Sequence, residues 1–438
     1  MKKAYYFACF LGSCAYTIPF FLLSLYLIQF YNPPAHETIP QFLPKEAWFG
    51  ISILSLLIVV SRVFDVFFDP WIAGRSDSLQ SRWGRRMPFL FVFALPATVA
   101  TLFLFMPPQK EMSWWNALWV LAFFLLAVSS FSAYVTPFLA HISTLGNSEK
   151  ERLNVSLLQG LGESFGVILA GQAPLLWGMF QESGMDLLAA RQYAFLCLLC
   201  FACICLYIPI FILYPSDTSQ AVAPQPMRKS LHLLLQNKAY MMFLLAYFLF
   251  IIGVEMVQAG GYYYITVLLQ MPAEQLSYYL ALMVPASITA APLASKYAGK
   301  WGKKQVVTLI FFVFAFVLLA ASNLGNYSVS PQIQAIVLFT SGGFILGGIS
   351  ALVLAIIGDA VVHSRSTSTE EIPEALFIAA KNFCYKMGIT LGAALLASLL
   401  LLGKDRGDDF GIRASCLVGG FLSLLAFIIF TKYYPKER

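Results

Sequence analysis

The stretch Ser61-Arg62-Val63-Phe64-Asp65-Val66-Phe67-Phe68-Asp69-Pro70 carries two carboxylates four residues apart in a segment that is otherwise mostly apolar. Residues 51–60 before it are almost all apolar, so the segment predicts a membrane-spanning helix. At this spacing Asp65 and Asp69 lie on one face of the helix, one turn apart. Ionisable groups inside a span are costly unless they face a bundle interior or an aqueous cavity. The pair therefore indicates a functional site and favours ion-coupled transport.

The rest of the chain is equally apolar. Hydrophobic residues make up 59% of its 438 residues and charged residues only 11%, which is outside the range of soluble domains. A helical span needs about 20 mainly apolar residues. The chain offers about twelve such windows, including a second at 46–73 and a fifth at 155–181. We therefore predict an all-α membrane protein with twelve transmembrane helices.

The basic residues predict the orientation in the membrane. With the N-terminus inside, nineteen of the 28 Lys and Arg residues fall in cytoplasmic loops, while six, Arg191 among them, fall in outer loops. Because positively charged loops stay in the cytoplasm, both termini are expected there, in a plasma membrane that would be the inner membrane of a bacterium. The net charge of +6 is spread over many short loops and indicates no nucleic-acid partner.

A polar interruption divides the spans into six and six. We expect an N-terminal six-helix bundle at 1–214, a cytoplasmic linker at 215–238 and a C-terminal six-helix bundle at 239–438. Paired halves of this kind commonly hold a substrate near the membrane midplane. A Trp-Gly-basic-basic sequence follows both the second and the eighth span, at 83–86 and 301–304. This recurrence favours an internal repeat.

Small residues at a spacing of four predict close approach between helices. Three pairs show the pattern: Gly162 with Gly166, Gly343 with Gly347, and Gly388 with Gly392. The four cysteines between 197 and 205 lie in an apolar helix without nearby histidine or carboxylate. We interpret them as packing residues, and we expect no metal other than an alkali cation.

Few ionisable residues lie within the predicted spans: Arg62, Asp65, Asp69, Glu163, Glu255, Lys381 and Lys386. Two carboxylates in a desolvated site repel each other, so at least one should hold a proton or require a cation. The alternative is that Arg62, one turn before Asp65, neutralises it as a structural ion pair, which leaves Asp69 unexplained. Glu163, among three glycines in the fifth span, is the next candidate, either as a cavity residue or as a buried structural acid.

The second span resembles the signature of the glycoside-pentoside-hexuronide:cation symporters, a melibiose-permease-like family of the major facilitator superfamily. The motifs that carry the resemblance are Arg62 to Pro70, Gly74, Asp77, Trp83-Gly84-Arg85-Arg86, Pro88, Pro137-Phe138, Glu151-Arg152, Gly358-Asp359 and Lys386-Met387-Gly388. Eukaryotic sodium-dependent lysophospholipid transporters are similar to the same group. The resemblance implies the twelve-helix fold of that superfamily over the whole chain, although only the block in the second span is sharp.

The resemblance also implies roles for individual residues. Asp65 and Asp69 match the cation-site acids of the family, Ser132 falls where a hydroxyl ligand of the fourth helix is expected, and Lys386 matches a lysine near that site. The structural ion pairs or gate residues are predicted to be Arg62, Asp77, Arg85, Arg86 and Asp359.

This chain departs from the family pattern at several positions. Phe68 replaces an asparagine that helps melibiose-permease-like members admit sodium, so Na⁺ and H⁺ both remain open as the coupling cation. Thr17 and Val135 stand where carboxylates would bind a galactoside, and Gln159 stands where an arginine is expected. Two readings follow. In one, a different polar solute is bound by a set that comprises Gln159, Glu163, Tyr134, Thr17 and Lys381; in the other, the ligand is an amphiphile such as a lysolipid.

We therefore expect a cation-coupled symporter of a small solute, similar to a sugar or glycoside, that works by alternating access. A lysophospholipid or amphiphile transporter of the same fold is the first alternative, and a non-transporting membrane sensor is the second. An enzyme is not expected, since no HExxH or Walker sequence is present and the four histidines are scattered. We expect a monomer in the lipid bilayer, without a cofactor beyond the coupling cation.

Overall fold

A computed structural model describes residues 2–44, 47–48, 50–79, 81–142, 149–213, 237–367 and 374–434. Contacts divide the chain into two compact units, the first within Met1–Val222 plus Ala273–Ser277 and the second within Ala223–Pro272 plus Tyr278–Arg438. The predicted linker 215–238 lies outside the described residues except for its last two positions.

The first unit consists of helices and one short hairpin. Its helices are α1 (Lys2–Tyr31), α2 (Ile53–Ser78), α3 (Met87–Leu104), α4 (Trp114–Ile142), α5 (Glu149–Gly171), α6 (Ala173–Glu182) and α7 (Leu187–Leu213). Strands β1 (Ala47–Trp48) and β2 (Ile51–Ser52) pair antiparallel just before α2. The Ser52 side chain then caps α2 by accepting a hydrogen bond from the Ser55 backbone N–H at 3.0 Å.

The described part of the second unit consists of helices joined by short loops. Its helices are α8 (Lys238–Tyr263), continued by a π-helical turn (Tyr264–Leu268), α9 (Gln275–Trp301), α10 (Lys303–Ala321), α11 (Pro331–Thr367), α12 (Glu374–Leu399), continued by a 3₁₀ turn (Leu400–Leu402), and α13 (Phe410–Tyr433). Seven helices of the first unit and six of the second, counted over the described residues, correspond to the twelve predicted spans. The fifth span is broken, because α5 ends at Gly171 and Pro174 opens α6.

Ten of the described helices are long and apolar enough to cross a membrane. The two long helices outside this set are α2 and α5. These are the helices that carry the charged and polar candidates, Asp65 and Asp69 on α2 and Gln159 and Glu163 on α5. The charged and polar candidates therefore lie on the two long helices that are least typical of an apolar span.

Close contact between α1 and α5 organises the core of the first unit. A Cβ on Gly162 would lie 2.3 Å from the Phe10 carbonyl oxygen, and one on Gly166 would lie 2.5 Å from the Cys14 carbonyl oxygen. No side chain fits at either position unless the helices move apart. The predicted close approach is confirmed here, and it fixes the register of the polar residues on α5 against α1.

The second unit uses the same device between α9 and α11. A Cβ on Gly343 would lie 2.3 Å from the Met283 carbonyl oxygen, and one on Gly347 would lie 2.1 Å from that of Ser287. This prediction is also confirmed. The third predicted pair, Gly388 and Gly392 of α12, packs in the same way against α8.

The two Trp-Gly turns have closely similar φ angles. Gly84 has φ +87° shortly before α3, and Gly302 has φ +91° immediately before α10. In each unit a basic residue that follows the glycine binds the next long helix. Arg86 donates from Nη1 to the Ala140 carbonyl at 2.7 Å, and Lys303 forms an ion pair with Asp359 at 2.5 Å. The matched turns support the internal repeat.

Arg191 was predicted to lie in an outer loop, and this prediction is wrong. It belongs to α7, and its side chain is fully buried. Its guanidinium donates to Gln29 Oε1 at 3.0 Å and to Glu37 Oε1 at 2.9 Å, and it stacks 4.8 Å from the centroid of the Trp177 ring. The loop that follows α1 contributes Glu37 and covers the first turns of α7. Arg191 is therefore buried, although its position in the sequence suggested an exposed loop.

Replacing Gly302 with alanine should destabilise the protein. Its φ of 91° and ψ of 145° lie in a region of backbone conformation that essentially only glycine adopts without strain. We expect the free energy of unfolding to fall by about 1–3 kcal/mol, measured as a lower melting temperature. Gly299→Ala is the matched control, three residues earlier inside α9, where an added Cβ meets no atom within 4 Å. It should leave the melting temperature unchanged or raise it. Equal shifts in both variants would contradict the role of the turn.

Removing the buried guanidinium should cost more. Arg191→Met leaves the Glu37 carboxylate buried without this partner, and such losses typically amount to about 3–5 kcal/mol. Glu37→Gln in the same chain removes the stranded charge, so the double variant should melt at a higher temperature than Arg191→Met alone. A double variant as unstable as the single one would show that the two residues are not energetically coupled.

Candidate functional site

A hydrogen bond between α2 and α4 lies at the centre of the candidate site. Asp65 is 2% exposed and Ser132 is 4% exposed. The Ser132 hydroxyl donates to Asp65 Oδ1 at 2.7 Å across 67 residues of sequence. The structure thus brings together an acid and a hydroxyl that were singled out as cation ligands. A carboxylate and a hydroxyl oxygen are ligand types that suit a hard cation.

Asp69 lies one turn further along α2 and is half-buried. Pro70 follows it inside the helix. Because proline has no N–H, the carbonyl oxygen of Val66 receives no helical hydrogen bond from position 70. This backbone oxygen lies within the turn that separates the two acids, and sequence reasoning did not identify it. The signal was present in the sequence as the proline that directly follows the second acid.

Arg62 occupies the turn before Asp65 and packs between aromatic rings. Its guanidinium carbon lies 5.6 Å from the ring centroid of Phe20 on α1 and 5.6 Å from that of Phe124 on α4. Cations at this distance are attracted to the faces of aromatic rings. Arg62 therefore joins α2 to α1 and α4. The alternative of a structural ion pair with Asp65 did not predict these contacts.

A second polar cluster lies between α1 and α5. Glu163 Oε1 accepts a short hydrogen bond from the Tyr16 hydroxyl and another from Gln159 Nε2 at 3.0 Å. Gln159 and Glu163 are four residues apart and share one face of α5. Tyr16 was missed by sequence reasoning, since an aromatic residue in a span usually fills the core. Its neighbour Thr17 was predicted as a ligand, and the Thr17 hydroxyl donates to the Ser13 carbonyl at 2.7 Å.

The two clusters are connected through aromatic contacts. The Tyr16 ring meets the edge of Phe131 at 6.2 Å and that of Phe138 at 6.0 Å between centroids. Phe131 directly precedes Ser132 on α4. A continuous series of contacts therefore runs from Glu163, through Tyr16 and Phe131, to the turn of α4 that holds the Ser132–Asp65 bond.

Tyr134 does not join either cluster. It is 1% exposed, and its hydroxyl donates to the Leu206 carbonyl of α7 at 2.8 Å. Its ring stacks on that of Phe138. This residue, which was predicted as a substrate or coupling residue, instead ties α4 to α7 in the core of the first unit.

The two predicted lysines belong to α12 of the second unit. Lys381 is half-buried and lies 5.2 Å from the ring centroid of Tyr385 and 5.8 Å from that of Tyr247. Lys386 is also half-buried, one and a half turns further along the helix. Tyr385 lies on α12 and Tyr247 on α8, so Lys381 contacts aromatic rings of both helices.

Apart from Arg62, the predicted gate residues lie towards the ends of helices. Arg86 is largely buried and bonded to the end of α4, and Arg85 beside it is half-buried. Asp359 of α11 accepts from Lys303 through both of its oxygens, at 2.6 and 2.5 Å. The backbone of Asp77 lies in α2, while its side chain is outside the described part of the structure.

Apolar spanning helices in two units, together with buried acids paired to hydroxyls, define an integral membrane protein of the transporter class. A family model described as MFS/sugar transport protein matches residues 9–407. The chain belongs to this family, and it is a transporter and not an enzyme. The resemblance to glycoside-pentoside-hexuronide:cation symporters and the predicted twelve-helix fold of the major facilitator superfamily are confirmed.

Two relatives are similar to this chain over most of its length. The chain is 23% identical over 402 residues to an isoprimeverose transporter of Lactiplantibacillus pentosus, covering 90% of this chain and 79% of that protein. It is 21% identical over 433 residues to the sodium-dependent lysophosphatidylcholine symporter 1-A of Danio rerio, covering 88% of this chain and 79% of that protein. A sugar transporter and a lysolipid symporter are thus both similar to this chain.

The fold is also shared with solved transporters. The crystal structure of a D-xylose-proton symporter superposes with a TM-score of 0.70, at 13% sequence identity, covering 99% of this chain and 98% of that one. At this level of identity the likeness concerns the fold alone. The family membership favours transport of a small molecule over the alternative of a membrane sensor.

Proposed function

We propose that this protein is a cation-coupled symporter of a sugar or glycoside-like solute that works by alternating access. The observation that carries the proposal is the buried hydrogen bond from Ser132 to Asp65. An acid at this depth in a spanning helix is expensive unless it serves a purpose and has compensating partners. The protein supplies one donor from α4 and places a second acid one turn away.

The proposed cation site comprises Asp65, Asp69, the Ser132 hydroxyl and the Val66 carbonyl. Two carboxylates on one helix face repel each other, so a positive ion between them lowers the energy of the pair. Carbonyls at interruptions of transmembrane helices are recurrent sodium ligands. A proton on either carboxylate relieves the same repulsion, so the electrostatic argument holds for Na⁺ and for H⁺.

The proposed substrate site includes Glu163 and Gln159, with Tyr16 as the residue that positions the carboxylate. Two donors converge on Oε1 of Glu163. A carboxylate has capacity for further donors on its second oxygen, and sugar hydroxyls bind carboxylates through strong charge-assisted hydrogen bonds. Thr17 on α1, and Lys381 and Lys386 on α12, remain candidates for substrate binding or coupling.

A lysophospholipid or similar amphiphile is the second candidate substrate. Two observations favour it: Val135 offers no polar atom where the family resemblance implies a carboxylate, and one relative is named a lysophosphatidylcholine symporter. The sugar proposal is supported by the description of the family, by the isoprimeverose relative and by the polar cluster at Glu163.

Neutralising both acids should abolish accumulation of substrate against its gradient. In membrane vesicles with an imposed Na⁺ or H⁺ gradient, Asp65→Asn with Asp69→Asn should reduce the accumulation ratio to about one, because no cation is then carried with the substrate. Exchange of labelled for unlabelled substrate should persist. The gradient that drives uptake in the unaltered protein identifies the cation.

Two matched controls sharpen this experiment. Asp186→Asn makes the same change at an exposed position before α7 and should leave accumulation intact. Ser132→Ala should raise the required concentration of driving cation about tenfold, since a hydrogen bond to a charged group is lost. Ser129→Ala is its control, because the Ser129 hydroxyl donates to the Leu125 carbonyl of its own helix. This variant should leave the required cation concentration unchanged. Uphill transport by the double asparagine variant would refute the coupling role.

The substrate class can be decided by thermal stabilisation of the purified protein. A bound ligand at a hundred times its dissociation constant contributes about 2.7 kcal/mol, which is seen as a higher melting temperature. We expect disaccharides or glycosides to stabilise the protein, and Glu163→Gln to weaken this effect. Stabilisation by lysophosphatidylcholine, with no response to any sugar, would favour the second candidate.

A further inference from the structure

A cavity of about 640 Å³ lies at one end of the second unit, next to the Trp-Gly turn at 301–304. It is formed where α9 ends, α10 begins and α13 ends. Its lining includes Lys304, Thr308 and Thr431 as polar residues and Leu309, Phe312 and Phe427 as apolar ones. None of these residues has a part in the proposed transport site.

The polar and apolar residues of this cavity are separated along the helix axes. Lys304 lies in the first turn of α10, while Leu309 and Phe312 lie about 7.5 and 12 Å further along the helix. On α13, Thr431 lies near the end of the helix and Phe427 one turn before it. Both helices are candidate membrane spans. The polar end of the cavity is therefore at the membrane surface, and the apolar end is deeper in the bilayer.

The surroundings of the polar end are positively charged and aromatic. Lys300 and Lys432 lie in the last turns of α9 and α13. Trp301, which lines the cavity, is 52% exposed, and its ring lies 4.7 Å from that of Tyr297. Exposed tryptophan and tyrosine at the end of a span are typical of the headgroup region of a membrane.

Lys304 is held in place by a specific contact. Its ammonium donates to the Tyr434 carbonyl just beyond α13. An ammonium has three donors, so this contact orients the group while its charge still acts on the cavity. Lys303, its neighbour, is instead turned to the ion pair with Asp359.

We propose that this cavity binds one anionic phospholipid. The phosphate would lie against Lys304 near the hydroxyl of Thr308, and an acyl chain would run along Leu309, Phe312 and Phe427. Basic pockets between spanning helices at the membrane surface bind anionic headgroups. A zwitterionic lipid fits less well, because its ammonium group is repelled by Lys304.

The proposal is tested with the purified full-length protein in detergent micelles. Phosphatidylglycerol and phosphatidylcholine with identical acyl chains are titrated separately, and the melting temperature is recorded. Phosphatidylglycerol should raise the melting temperature more than phosphatidylcholine does. Lys304→Gln should increase the phosphatidylglycerol concentration needed for half of the effect about fivefold. Thr308→Phe, which fills the cavity and keeps the charge, should remove the response to phosphatidylglycerol.

Lys296→Gln is the matched control, since Lys296 is exposed on α9 at the same end of the unit but does not line the cavity. It should respond to lipid like the unaltered protein. Equal stabilisation by the two lipids, a similar shift with inorganic phosphate alone, or a Lys304→Gln variant that behaves like Lys296→Gln would each overturn the proposal. Lys304→Gln removes the charge and Thr308→Phe fills the cavity. Each variant therefore tests the proposal by itself, even if the other does not fold.

Discussion

The structure depends on the constraint that a buried charge in a membrane-spanning helix must be compensated from within the protein. Asp65 meets this constraint through the Ser132 hydroxyl of α4. The need for that partner helps to determine which face of α2 meets α4, since lipid offers a carboxylate neither a donor nor a counter-charge. In the proposed cation site, a bound ion would add to this compensation.

The same constraint explains features outside the candidate site. Arg191 is compensated by Glu37, Gln29 and the face of Trp177. Glu163 is compensated by Tyr16 and Gln159. In each case the partner comes at least in part from α1 or from the loop after it. This first helix, nearly all apolar, therefore serves as the common neighbour for the polar groups of α5 and α7.

Sequence reasoning predicted the features that depend on local spacing. Asp65 and Asp69 were found from a four-residue interval within an apolar segment, and the helix contacts were found from glycines at the same interval. Ser132 was identified only through a family resemblance, because nothing local distinguishes it from Ser129 or Ser130. The break of the fifth span at Gly171 was missed, since the apolar pattern continues on both sides of it.

Features that depend on the meeting of distant segments were not accessible to the same reasoning. Tyr16 and Tyr134 are both buried tyrosines in spans, yet one bonds to a carboxylate and the other to a backbone carbonyl. Only the packing of α1 against α5 and of α4 against α7 separates these outcomes. The proline after Asp69 also affects the mechanics of α2. The helix lacks one backbone hydrogen bond at this turn, so bending it here disrupts one fewer hydrogen bond than bending it elsewhere. In the proposed cation site, an ion bound to the Val66 oxygen would make the curvature of α2 depend on whether the site is occupied.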